Sequence, residues 1–275
     1  MIATPFNFLG IPEVKASDAQ AVVLPVPYER TTSYGQGTKN GPKAIIEASR
    51  QVELFSPEFG DEIQNLVKIA TVKPAGRDLR SISRAAFKQA DKFLISLGGE
   101  HAVTPALVAP FAKKYPDLSV LQIDAHSDLR ETYEGDKNSH ACAMRRVQEL
   151  GVKKIVQVGI RNTAKEEQIY VKKENLFWGN KFSLAEVLSR LSDNVYLTFD
   201  VDGLDPSIMP ATGTPEPGGL DYEQADTLLK AVARRKNLVA ADFVELAPIK
   251  NIPAYDFIVA KLIYNLIGYK FINTK

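Results

Sequence analysis

The chain has 275 residues, 45% of them hydrophobic and 24% charged, with a formal net charge of +1. That composition fits a globular chain with a large core, and the near-neutral balance gives no reason to expect nucleic acid or an anionic membrane as a partner. No apolar stretch reaches the roughly 20 residues of a spanning helix, the opening Met1–Phe6 has no basic segment leading into an apolar run, and one cysteine, Cys142, excludes an internal disulfide and fits a reducing, cytoplasmic setting.

Along the chain, short apolar runs alternate with amphipathic stretches. Strands are expected at 21–27, 67–72, 93–98, 118–124, 154–160, 175–178, 195–202 and 238–244. Many of these runs are rich in Val, Ile and Leu without strict alternation, as in strands covered on both faces. Helices are expected between them at 43–53, 82–92 (with Ser81 as a cap), 105–115 (opened by Pro105), 143–150, 184–191 and 222–236, and a packed terminal helix at 254–271. Strands interleaved with helices mean a mostly parallel sheet with crossovers, and the pattern by itself suits either an open sheet or a (β/α)₈ barrel. In both, functional groups collect where strands end and loops begin. The punctuated stretch 205–221 is too long for a simple connection in a compact domain, which marks it as functional. No linker or repeat interrupts the pattern, so residues 1–275 are expected to form one domain.

The histidines carry the functional argument. The chain has three, His101, His126 and His140, each at or just after the end of an expected strand. In Asp124-Ala-His126-Ser-Asp128, positions i, i+2 and i+4 of extended backbone face one side, so three ligand-type groups converge. The seventh strand adds Asp200 and Asp202, with Asp205 just beyond. Several carboxylates at neighbouring strand ends cannot stay ionised together without cations between them. Two divalent metals resolve the repulsion, and a mixed set of imidazoles and carboxylates favours manganese over zinc, iron or cobalt. Taken singly, each feature has a bland reading: a hydrogen-bonded structural histidine, a capping aspartate, an Asp-Pro turn. The coincidence of all of them at strand ends favours the metal reading.

At these residues the sequence resembles the ureohydrolases, the arginase and agmatinase family. The likeness runs through Gly98-Gly-Glu-His101, Asp124-Ala-His-Ser-Asp-Leu-Arg130, Asn138-Ser-His140, Thr198-Phe-Asp-Val-Asp-Gly-Leu-Asp-Pro206, Pro210–Leu220 and Phe243-Val-Glu-Leu246, preceded by Gly37-Thr38, Gly41-Pro42 and Ala44-Ile45. The resemblance implies a three-layer α/β sandwich around an eight-stranded, mainly parallel sheet, and so selects against the barrel. It implies two manganese ions, one held by His101, Asp124, Asp128 and Asp200, the other by Asp124, His126, Asp200 and Asp202. A hydroxide bridging them would attack the guanidino carbon, Glu245 would pair with the guanidinium, and His140 would carry the proton to the leaving amine. The family often has aspartate where this chain has Glu100, a change expected to alter support around His101 without abolishing metal binding. Asp205 is expected to shape its loop or to orient a ligand.

For the substrate, the resemblance favours agmatine, cleaved to putrescine and urea. Gly159-Ile-Arg161 is followed by Asn162-Thr163-Ala164, without the carboxylates with which arginases hold an α-amino group. Glu131, Glu134 and Asp136 precede His140 and suit an amine-bearing substrate, and the Pro-Glu-Pro-Gly-Gly run around Glu216 is similar to agmatinases, making Glu216 a substrate-binding candidate. Alternatives within the family are aminopropylagmatine ureohydrolase, arginase and guanidinobutyrase; outside it, a mononuclear zinc deacetylase-like enzyme or a catalytically silent relative. Family members are often trimers or hexamers, so a homo-oligomer is expected. Cys142 is read as a buried small hydrophobe at a helix start rather than a nucleophile.

Overall fold

The computed structural model describes residues 5–272, so most of the amino-terminal stretch inspected for a leader lies outside the described residues. Its principal sheet has eight strands, here β1 (Ala21–Val26), β2 (Ile69–Thr71), β3 (Phe93–Gly98), β4 (Ser119–Ile123), β5 (Lys154–Ile160), β6 (Leu176–Trp178), β7 (Asn194–Asp200) and β8 (Asn237–Val244). Their order across the sheet is β2-β1-β3-β8-β7-β4-β5-β6, and every pairing is parallel. The sheet is open, not a closed barrel, as the resemblance implies.

Burial on both faces explains the unbroken apolar runs. Every residue of β1, β3 and β4 is buried. Alternate side chains feed two separate cores: Val23, Ile95, Leu121 and Leu197 point to one, and Val22, Leu94, Val120 and Tyr196 to the other. The first core is closed by helices Gly41–Ser49, Leu184–Arg190, Tyr222–Arg235 and Ala254–Phe271, which supply Ile45, Val187, Leu228 and Ile263. The second is closed by Leu79–Gln89, Thr104–Lys114 and Ala143–Glu149, through Ile82, Leu107 and Val147. The result is three layers, helices on sheet on helices. The terminal helix has ten buried residues, which explains its weak amphipathicity. Among the described residues, no helix is long and apolar enough to cross a membrane.

The expected strands and helices are observed in kind, with ends that differ by a few residues; an antiparallel pair of short strands, Phe55–Ser56 with Asp61–Glu62, and a helical turn at Ile63–Leu66 are additional. One cap differs: helix Leu79–Gln89 starts three residues earlier than expected, and its cap is Asp78, which accepts the Ser81 N–H at 3.0 Å. Ser81 therefore lies inside the first turn as donor, because an aspartate three residues upstream provides the stronger acceptor. The seventh strand stops at Asp200, and Val201–Gly203 turns as a short 3-10 segment.

Candidate metal centre and cavity

Four neighbouring strands, β3, β8, β7 and β4, bring their carboxyl ends together in the middle of the sheet. His101 follows β3, Glu245 follows β8, Asp200 ends β7 with Asp202 just beyond, and Asp124, His126 and Asp128 follow β4. The lateral register sets their heights: Phe199 of β7 lies opposite Phe243 of β8 and Ile123 of β4, one residue before Asp200, Val244 and Asp124. Glycine is required just before His101. A Cβ on Gly98 would lie 2.6 Å from Val244 Cγ1, and one on Gly99 would lie 1.9 Å from the Tyr28 carbonyl oxygen. Only bare backbone passes there, and it delivers His101 to the cluster.

The side chains form two donor groups that share Asp124: His101 with Asp124 and Asp200, and His126 with Asp124 and Asp202. His101 Nδ1 faces Asp128 Oδ2 at 3.0 Å, Asp124 Oδ2 at 3.1 Å and Asp200 Oδ2 at 3.3 Å. His126 Nδ1 lies 3.0 Å from Asp202 Oδ2 and 3.6 Å from Asp124 Oδ1. Although these separations are within ion-pair range, His101 Nδ1 has no partner with hydrogen-bond geometry among the described residues. Its other nitrogen, Nε2, lies 2.9 Å from Thr198 Oγ1, which donates to Asp242 Oδ1 at 2.6 Å. With the hydroxyl proton committed to Asp242, Nε2 is a ring donor, which leaves Nδ1 facing three carboxylates. Burial disfavours the imidazolium, but those carboxylates raise the His101 pKa well above its ordinary value, so a proton sits where a cation could. That convergence of donor atoms fits a cation held among them, and the hard oxygens with borderline imidazoles suit a first-row divalent metal.

The electrostatics agree. Burial raises the Asp200 pKa far above the carboxylate range, reinforced by Asp202 and Asp124. Burial, with Asp124, likewise pushes Asp128 up to about 7. Asp124 moves down: burial opposes its charge, but His101 and His126 outweigh it. Burial disfavours the imidazolium of His126, yet Asp202 and Asp124 carry that group up to about 12. Protons here take the places that cations would fill.

A scaffold of buried polar side chains holds these groups. Gln157 donates to Gln122 at 2.6 Å, and Gln122 donates to Asp124 Oδ2 at 2.7 Å. Asp202 accepts the Ala125 N–H at 3.1 Å, and Asp200 accepts the Asp202 N–H at 2.9 Å. Asp242 also accepts from Tyr196 at 2.7 Å and Thr104 at 3.1 Å. Arg161 donates to the Asp202 carbonyl at 2.6 Å and to the Glu216 carbonyl at 2.7 Å, tying the end of β5 to the loops beside it.

Above the cluster is a cavity lined by Asp128, His126, Asp200, Asp202, Glu245 and His140, with Tyr133, Arg130, Glu167, Asn162 and Tyr34 around its wall and mouth. Glu245 and Asp128 both adopt left-handed backbone, φ 65° and 52°, a conformation that costs a non-glycine residue free energy and clusters at functional sites. Glu245 accepts the His101 N–H at 2.6 Å, and burial raises its pKa well above the ordinary range. His140 is half-buried in the wall, and burial lowers its pKa.

Other residues singled out from the sequence lie elsewhere. The Glu216 carboxylate is outside the cavity lining and accepts from Asn162 Nδ2 at 2.7 Å. Asp205 serves its loop: it accepts N–H groups of Ser207, Gly218 and Gly219 at 3.0, 2.8 and 3.0 Å. Glu131, Glu134 and Asp136, expected to suit an amine-bearing substrate, are not among the residues that line the cavity. Glu131 is drawn off by Arg145 and Arg146, each at 3.0 Å, and Asp136 accepts the Asn138 N–H at 2.8 Å. The cavity carboxylate the sequence reading missed is Glu167, which accepts from Leu129 N at 2.7 Å and Ala164 N at 2.5 Å. Cys142 is fully buried, and burial pushes its thiol up to about 11, which removes nucleophile character at neutral pH.

A family model described as "Arginase family" matches residues 19–268. An N(1)-aminopropylagmatine ureohydrolase of Synechocystis is 35% identical, over 85% of this chain and 83% of its own. An agmatinase of Bacillus cereus is 37% identical over 84% and 85% of the two chains. Among solved structures, the agmatine ureohydrolase of Thermoplasma volcanium superposes with a TM-score of 0.83 at 27% identity, covering 98% of this chain and 95% of that one.

Proposed function

We propose that this chain, which belongs to the arginase family of amidine-cleaving hydrolases, is a two-manganese enzyme that hydrolyses agmatine to putrescine and urea. The observation that carries the reading is the pair of imidazole–carboxylate groups sharing Asp124 at the floor of a cavity that also holds Glu245 and His140. The proposed ligands are His101, Asp124, Asp128 and Asp200 for one ion, and Asp124, His126, Asp200 and Asp202 for the other. When bound, two such ions supply Lewis acidity and a water acidified enough to attack at neutral pH.

The chain's own residues account for the rest. Glu245, anchored to the His101 N–H, offers its carboxylate to the guanidinium, whose positive charge favours the ionised acid that burial alone disfavours. Water adds to the guanidino carbon, the C–N bond to the alkyl chain breaks, and the leaving amine takes up a proton. Burial lowers the His140 pKa, so its imidazole is neutral near pH 7 and can take a proton at one step and return it to the amine at another.

Agmatine is favoured because Asn162, Thr163 and Ala164 line the cavity where an α-amino group would need carboxylates. Aminopropylagmatine is the second reading, since relatives of 35–39% identity carry that name. The reading includes one catalytic unit, a homo-oligomeric assembly and a cytoplasmic setting. Its test is urea release by manganese-loaded protein from agmatine, arginine, guanidinobutyrate and aminopropylagmatine separately, with bound metal counted. Urea from agmatine in preference to the rest is expected; no urea from any, with two metals bound, overturns it.

A further inference from the structure

We infer that Thr31, its hydroxyl oriented by Glu100, is a positioning residue that fixes the ring and tautomer of His140. The inference rests on the reading of His140 as the proton carrier. Glu100 is fully buried, and it spends its carboxylate on the loop after β1: Oε2 accepts the N–H groups of Arg30 at 2.6 Å and Thr31 at 2.7 Å, and Oε1 accepts the Thr31 hydroxyl at 2.7 Å. A threonine hydroxyl has one proton and two lone pairs. With the proton given to Glu100, only lone pairs remain for His140, whose backbone N–H reaches Thr31 Oγ1 at 3.0 Å and whose Nδ1 lies 3.3 Å from it.

Only a protonated Nδ1 satisfies that contact, so Nε2 keeps its lone pair and is the atom that can accept a proton. Ser139 Oγ is the competing partner, 3.4 Å from the same Nδ1; a serine proton donated there would impose the opposite tautomer. Thr31 holds the stronger position because it also accepts the His140 backbone N–H. The Tyr133 ring stands edge-on to the imidazole, centroids 6.0 Å apart at 82°, and limits its rotation. The longer carboxylate at position 100 thus has a specific use: it spans from the strand end to a threonine that grips His140, joining three segments distant in sequence.

The three histidines make this directly measurable. In ¹⁵N-histidine-labelled protein loaded with zinc, a long-range ¹H–¹⁵N correlation is expected to show His140 as the Nδ1–H tautomer. Thr31→Val should convert it to the Nε2–H form or a mixture, and Thr31→Ser should restore the original pattern. In urea release from agmatine by the manganese-loaded protein, Thr31→Val should lower kcat about tenfold or more while KM moves less than about twofold, and Thr31→Ser should recover most of the loss. An Nε2–H tautomer in the unsubstituted protein overturns the inference, as does a Thr31→Val variant with unchanged tautomer and kcat, or one that loses bound metal along with activity. Should Thr31→Val fail to fold, the tautomer of the unsubstituted protein still decides. If the unsubstituted protein releases no urea from any guanidino compound, the functional reading fails while the spectrum still decides what Thr31 does.

Discussion

The Glu245 carboxylate and the His101 backbone N–H, 144 positions apart in the chain, meet at 2.6 Å. The group proposed to read the guanidinium is thereby locked to the backbone of a proposed metal ligand, and the cavity carboxylate cannot move without the cluster. Glu245→Gln keeps an oxygen for that N–H but removes the charge. Metal content should stay near that of the unsubstituted protein, while kcat/KM falls roughly 10- to 100-fold, the worth of a charge-assisted hydrogen bond. Parallel metal analysis and urea assays check this; unchanged turnover removes Glu245 from the reaction.

Asp242 touches the cluster only through Thr198, yet the chain Asp242–Thr198–His101 determines which imidazole nitrogen faces the carboxylates. Thr198→Val should weaken metal binding about 10- to 100-fold. A competitive metal titration measures it, and an affinity equal to that of the unsubstituted protein would show that His101 needs no such orientation.

His126→Ala removes a donor proposed for one ion, and Asp200→Ala removes one proposed for both. Both should lose metal and urea release together, because a carboxylate cluster short of a ligand takes protons instead of cations. Turnover retained in either variant contradicts the two-metal assignment.

Cys142→Ser should keep most activity, since the thiol is buried and far from ionised at neutral pH. The native protein should also resist iodoacetamide at pH 8 and react after unfolding. Rapid native alkylation with loss of turnover would restore a role for the thiol.

Asp205 contributes a pH-dependent part of stability. Its hydrogen bonds with Ser207, joined by the Gly218 and Gly219 N–H groups, lower its folded pKa to about 2 from an ordinary 3.8. A depressed folded pKa stabilises above the ordinary value and is lost as the pH falls through the folded one. Asp205→Asn should therefore lower Tm most near neutral pH, with the difference from the unsubstituted protein shrinking from pH 4 to pH 2. A pH-independent difference would mean that the loop needs the side chain's shape rather than its charge.

Much of the architecture was legible because burial on both faces leaves a strong linear signal. The runs 93–98 and 154–160 coincide with β3 and β5, and all six expected metal ligands fall at the ends of β3, β7 and β4, within four consecutive strands of the sheet. Strand ends lie close together in any parallel sheet, so ligand-type residues there converge without further information. The supporting polar groups left a fainter trace: Gln122, Gln157, Thr198 and Asp242 each interrupt an apolar strand. A buried polar side chain must find a partner, but the sequence cannot say which one.

What the sequence by itself determined is the alternation of elements and the identity of the ligand-type residues, because hydrophobic period and strand-end chemistry are local. Strand order, and with it the meeting of β3, β8, β7 and β4, was decided by tertiary structure, since an open sheet and a barrel share one local pattern. The same holds for the direction of each charged side chain. Glu131 stands beside His140's loop in sequence yet turns to Arg145 and Arg146, whereas Glu167, in the 3-10 helix Lys165–Ile169 past the end of β5, enters the cavity wall. A long side chain takes its direction from the nearest group that compensates its charge, and that neighbour exists only once distant segments have packed.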